Sequence, residues 1–162
     1  MIYAGPESAF NPSWGSPAGA EAGRPESLAR LDAQAEARRQ LTVLLADDEE
    51  MVRLVLAQAL CRAGYNVIAA CDGAEAVNLC RGRLDEIDVV VFDLTMPILD
   101  GTSLFREIRR VVPRARTLLM SGYSESSTVN DLFEEGLSGF LPKPFSLQQF
   151  ELEMARVMAT GC

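Results

Sequence analysis

From Leu41 to Ala159 short apolar runs alternate with segments whose apolar residues recur at helical spacing. The runs read as strands. They fall at about 41–46, 66–70, 87–92, 116–120 and 139–142, and they lack polar alternation because a strand covered on both faces reads as one continuous apolar stretch. Four stripes mark helices. They are Val52, Val55, Leu56, Ala59 and Leu60; then Leu104, Ile108, Val111 and Val112; then Val129, Leu132, Phe133 and Leu137; then Leu147, Phe150, Met154, Val157 and Met158. All of these side chains are expected in the core. A fifth, shorter helix is expected from Gly73 to Cys80, with Asp72 and Glu75 at capping-box spacing before it, as Ser146 and Gln149 are before the last helix.

Strands alternating with helices are the signature of a parallel α/β sheet. Five such units predict a flavodoxin-like, doubly wound five-stranded parallel sheet in the order 2-1-3-4-5 with five helices, binding ligands beyond the strands' carboxyl ends. The domain is expected over residues 41–160. Upstream, Gly5-Pro6, Asn11-Pro12, Pro17, Gly19, Gly23 and Pro25 interrupt every periodicity, so a flexible tail is expected there. From Glu26 to Gln40 the composition favours helix, but Leu28 and Leu31 are its only large apolar residues. A linker helix would complete residues 1–40.

The strand ends carry the chemistry. In the order 2-1-3-4-5, strands 1, 3, 4 and 5 lie side by side about 4.8 Å apart, and they end in Asp47/Asp48, Asp93, Ser121 and Lys143. Strand 2, on the far side of strand 1, ends in Ala69-Ala70-Cys71 and offers no such group. Three carboxylates in one crevice repel unless a cation sits among them, and a hard divalent ion held by few carboxylates and water is what magnesium prefers. Mg2+ is therefore the expected cofactor. Asp93 is positioned to attack phosphorus, with Lys143 and the Ser121 hydroxyl placed to hold phosphoryl oxygens. Met96-Pro97 and Asp100-Gly101 build a turn-rich loop beside it. A cis bond between Lys143 and Pro144 would fix the lysine's aim. Taken alone, an Asp-Asp pair after a strand more often caps the following helix.

Composition narrows the classes. A formal net charge of −8 argues against gripping a phosphate backbone, so no nucleic acid partner is expected. No apolar run approaches the ~20 residues of a membrane helix and no signal-peptide pattern opens the chain. Without membrane insertion, a cytoplasmic location is expected. The chain has four cysteines, none at CxxC spacing, and no histidine, which excludes a zinc site of ordinary composition. The thiols are expected to be free and mostly buried.

Asp47-Asp48-Glu49, the segment Asp93 to Gly101, Ser121-Gly122 and Gly139-Phe140-Leu141-Pro142-Lys143-Pro144-Phe145 together resemble the receiver domain of bacterial two-component response regulators. The resemblance runs from Leu41 to Ala159. It implies Asp93 as phospho-acceptor, Asp48 and Asp93 as direct magnesium ligands with the Thr95 backbone carbonyl beside them, and Asp47 acting through water. Ser121 would be the switch hydroxyl and Phe140 the switch aromatic. On phosphorylation the hydroxyl is drawn to the phosphate, the ring turns inward, and the face made by the fourth helix, fifth strand and fifth helix changes its partners. The implied partners are a histidine kinase or phosphotransfer protein as donor and a downstream protein or the chain's own kinase core as reader. A second copy would dock through the same face. The only activity implied is the domain's own phosphorylation and dephosphorylation.

Leu119 to Glu125 and Gly136 to Phe140 are similar to receivers joined to hybrid sensor histidine kinases. With 17 residues after Phe145, one helix and no output domain is expected; the segment before Leu41 is short for a kinase core. A stand-alone receiver or one excised from a hybrid kinase follows. Two alternatives are weaker. A magnesium-dependent phosphohydrolase would need an acid two residues after Asp93, where Thr95 stands, and a receiver-like docking module that is never phosphorylated would have little use for an intact Asp93 and Lys143.

Overall fold

The computed structural model describes residues 40–122 and 127–159. In chain order these form β1 (Thr42–Ala46), α1 (Glu50–Arg62), β2 (Asn66–Ala70), α2 (Gly73–Gly82), β3 (Val89–Asp93), α3 (Gly101–Val111), β4 (Arg116–Ser121), α4 (Ser127–Glu134), β5 (Gly139–Pro142) and α5 (Leu147–Ala159). Every strand pair is parallel, in the order β2-β1-β3-β4-β5. The doubly wound sheet is the one the alternation predicts. The expected tail and linker helix of residues 1–40 lie outside the described residues, apart from Gln40.

Alternate strand residues feed two apolar layers. Val43, Leu45, Val89, Val91, Leu118 and Met120 meet Leu56 and Leu60 of α1 and Phe150, Met154 and Val157 of α5. Leu44, Ala46, Val90, Phe92 and Leu119 meet Val77 of α2, Leu104, Phe105 and Ile108 of α3 and Leu132 of α4. Every residue of β1 and β3 is buried, which is why neither shows a period of two.

Three residues expected inside stand outside. Val55 is 49% exposed, Phe133 45% and Leu147 39%. Each lies beside the buried stripe of its helix or at the helix's end. Val55 flanks the α1 stripe whose centre is Leu56, Ala59 and Leu60; Phe133 flanks Val129 and Leu132 on a short α4; Leu147 opens α5. The thiols differ too. Cys80 is buried, but Cys61 on the outer side of the last turn of α1 and Cys71 after the edge strand β2 are exposed.

Local chemistry sets the ends of the helices around the sheet's carboxyl edge. Asp100 caps α3 by accepting the Thr102 and Ser103 N–H groups, both at 3.0 Å. Ser146 and Gln149 form the expected reciprocal box, at 3.2 and 2.7 Å. Asp72 accepts the Glu75 N–H at 2.8 Å, but Glu75 turns back to the Cys71 N–H, one residue earlier than the box requires. Gly101 is dictated by crowding: a Cβ there would stand 2.5 Å from the Leu94 Cα. Its N–H closes the loop on the Leu94 carbonyl at 2.9 Å.

Candidate functional site

Strand register brings the acids together. Ala46 pairs with Phe92, so Asp47 and Asp93 leave neighbouring strands at the same level; Asp93 pairs with Met120, and Ser121 with Pro142. Lys143 follows directly. Its ammonium lies 2.6 Å from Asp93 Oδ2, 3.4 Å from Asp47 Oδ2 and 3.7 Å from Glu49 Oε1. The Lys143–Pro144 bond is cis.

Asp93 is held from both sides. While Lys143 takes Oδ2, Oδ1 accepts the Thr95 N–H at 3.1 Å and the Thr95 hydroxyl at 3.3 Å. Asp93 is 2% exposed. Asp47 is fully buried, and its Oδ1 accepts the Glu49 N–H at 2.8 Å. That turn has a consequence for the acids. The chain bends there, with Asp47 buried, Asp48 exposed to solvent and Glu49 approaching Lys143. Arg53 secures the turn from α1 by donating to the Asp47 carbonyl.

Burial pushes the Asp47 carboxyl above its ordinary range, against the Glu49 N–H and the Lys143 charge, which pull it down. At Lys143 burial works toward a lower pKa, but the hydrogen bond to Asp93 and the charges of Asp47 and Asp93 prevail and hold it above its usual value. The lysine stays an ammonium. Two buried acids and a third at the mouth thus share one cation.

The residues that sequence reasoning singled out are placed as follows. Asp93, Asp47 and Lys143 are in mutual contact, and Ser121 is buried on the adjacent strand end. Thr95 touches Asp93 through two donors, its N–H and its hydroxyl. Phe140, paired with Leu119 on β5, is half-buried against the layer formed with α2 to α4. Asp48 is exposed beside Asp47, and Asp47, Glu49 and Asp93 bring their ligand oxygens within 4.8 Å of one another. Three hard oxygen donors of this kind suit magnesium. Glu49, Arg53 and the Thr95 hydroxyl had no assigned role. Glu49 reaches the group through the turn that its own N–H closes on Asp47, a feature the sequence pattern does not announce.

A family model for the response regulator receiver domain matches residues 43–155, and the chain belongs to that family. It is 43% identical over 108 residues to the sensor kinase CckA of Brucella abortus, a stretch making up 67% of this chain and 11% of that protein. Against the chemotaxis protein CheY of Bacillus subtilis it is 32% identical over 104 residues, 64% of this chain and 85% of CheY. The solved non-phosphorylated receiver domain of HemR from Leptospira biflexa superposes with a TM-score of 0.71 at 29% identity, covering 76% of this chain and 98% of that one. This chain is a receiver domain of two-component signalling. Among the described residues no helix is long and apolar enough to cross a membrane.

Proposed function

We propose that Asp93 accepts a phosphoryl group from the phosphohistidine of a histidine kinase or phosphotransfer protein. The observation that carries this is the aimed carboxylate: Thr95 holds Oδ1, Lys143 neutralises Oδ2 from 2.6 Å, and the lysine lines an open groove at the sheet's carboxyl edge. In the transfer an Asp93 oxygen forms the bond to phosphorus while the phosphorus–nitrogen bond breaks, its electron pair staying on the imidazole. Lys143 compensates charge on the phosphoryl oxygens, and Ser121 offers them a hydroxyl. Asp93, Asp47 and the acidic turn with Asp48 and Glu49 would hold magnesium, with the Thr95 carbonyl beside it. When bound, that ion supplies positive charge to the phosphoryl oxygens and offsets carboxylate repulsion.

The donor's approach is supported by a groove of about 610 Å³ between α1 and the β5–α5 loop, lined by Met51, Val55, Phe145 and Leu147 with Glu49 and Lys143 of the site among them. Helix α1 is apolar on its outer side as well: Met51 is 72% exposed and Leu54 49%. A helix apolar on both faces fits a second partner besides its own sheet. Output is assigned to the face of α4, β5 and α5, where Phe140 lines a second hollow with Leu152 and Arg156. A downstream protein, the chain's own kinase core or a second copy would read it there. The setting is the cytoplasm, and the only turnover is that of the domain's own phosphoryl group. Thr95 at the place of a second acid disfavours the phosphohydrolase reading.

The test is an intact-mass measurement after incubation with magnesium and a small acyl phosphate. One added phosphoryl group is expected, and none in Asp93→Asn or with magnesium chelated. Labelling that survives both changes would refute the assignment.

A further inference from the structure

The acidic turn at the end of β1 is held by a residue of opposite charge. Asp47 lies one residue past the last paired position of β1, where Ala46 meets Ala70 and Phe92. Its N–H donates to the Ala70 carbonyl at 3.3 Å, its Oδ1 accepts the Glu49 N–H at 2.8 Å, and its Oδ2 faces the Lys143 ammonium at 3.4 Å. There remains its carbonyl, part of a fully buried residue. The guanidinium of Arg53 donates to it from the first turn of α1. Helical side chains lean toward the N-terminus of their helix, which is how Arg53 reaches back over the turn. Meanwhile the Arg53 N–H donates to the Glu49 carbonyl at 2.9 Å. One residue thus bonds the backbone of both acids. A side-chain cap would ordinarily secure such a helix start, but Glu49, at the N-cap position, makes no cap bond and its carboxylate approaches Lys143 instead.

On charge alone an arginine is out of place here. Two cations repel, so a guanidinium bonded to the backbone of a magnesium-binding acid works against the ion. Geometry offers the compensation. The carboxylate oxygens of Asp47 and Glu49 lie within 4.8 Å of each other and of Asp93, and both acids sit on the turn that Arg53 closes. Without the guanidinium a buried carbonyl loses this donor, and the turn is free to shift toward another. We infer that Arg53 is a positioning residue for Mg2+: by bonding the Asp47 and Glu49 carbonyls it keeps the two carboxylates where the ion needs them. The inference rests on the proposed magnesium site. Lys143 has a different task, since it touches the carboxylates of Asp47 and Asp93 themselves.

Charge and position predict opposite signs. Removing the guanidinium should tighten Mg2+ binding if the ion feels only its charge, and weaken it if the bond to the turn matters more. The comparison is calorimetric titration of MgCl2 into the full chain, as wild type, Arg53→Met and Arg53→Lys, with Arg53→Gln as a second neutral variant should Arg53→Met not fold. The neutral variants are expected to bind Mg2+ about tenfold more weakly, the usual effect of losing a group that orients a metal ligand. Arg53→Lys keeps a donor and a charge and should recover most of the affinity. Labelling by a small acyl phosphate gives a second readout. The Mg2+ concentration for half the maximal rate should rise in step with the Kd, while the rate at saturating Mg2+ stays at the wild-type level. Binding in the neutral variants as tight as in the wild type, or tighter, would overturn the inference. So would a fall in the saturating rate at unchanged half-saturation, or a loss in Arg53→Lys as large as in Arg53→Met; the arginine would then serve the fold alone. A wild type that binds no Mg2+ would instead count against the magnesium site itself.

Discussion

Lys143 is the residue through which the site communicates, since a single ammonium touches Asp93 and Asp47 and approaches Glu49. Any phosphoryl group arriving on Asp93 draws on that same charge. Next to it Ser121 is fully buried on β4, and its backbone carbonyl accepts the Lys143 N–H at 2.7 Å. Under the proposed phosphorylation of Asp93 the hydroxyl would gain a phosphoryl oxygen as partner, the differential interaction a two-state switch needs. Ser121→Ala should therefore keep its phosphorylation measurable while weakening the change that follows. NMR shift changes across residues 127–159 on adding a beryllofluoride mimic would show this; identical changes in wild type and variant would withdraw the switch roles of Ser121 and Phe140. Asp93, Asp47, Lys143 and Ser121 were legible in the sequence because each ends an apolar run. Glu49 was not, because its place depends on the turn that buries Asp47.

Helix α3 shows how one cap holds an element to the site. Asp100 accepts the Thr102 and Ser103 N–H groups and both of their hydroxyls, and these bonds hold its carboxyl down at about 2. Removing them in Asp100→Ala should cost about 1 kcal/mol, the usual worth of such a cap. The sign of the pH effect follows from the lowered value. The cap's contribution is complete above the ordinary carboxylate range and is lost as pH falls toward 2, so the wild-type advantage over Asp100→Ala should be full at neutral pH and shrink in acid. Urea melts of the two proteins at several pH values would check this; a difference that stays constant into strong acid would contradict it. At this scale element types were legible and edges less so. Strand β3 begins at Val89 although Ile87 is buried and apolar, because Asp88 is engaged with Thr42 across the strand start, through its N–H and its carboxylate. Val55, Phe133 and Leu147 escaped because periodicity gives a stripe's direction and not the width of the surface that covers it.

At the scale of the molecule, the described residues form a three-layer sandwich whose two apolar layers meet at one sheet, with the acids gathered at the carboxyl ends of β1 and β3. Among the described residues, both buried clusters lie entirely after Thr42. A chain beginning at Arg39 should accordingly melt within a few degrees of the full one. A large fall in melting temperature would show that the preceding segment packs on the domain. The central claim, that this arrangement makes Asp93 the acceptor, is tested most directly by locating the group. After treatment with magnesium and a small acyl phosphate, borohydride reduces an aspartyl phosphate to homoserine, which peptide mass spectrometry assigns to one position. Homoserine at position 93 alone is the predicted result; homoserine at 47 or 48, or none in a protein that has gained phosphoryl mass, would contradict the account.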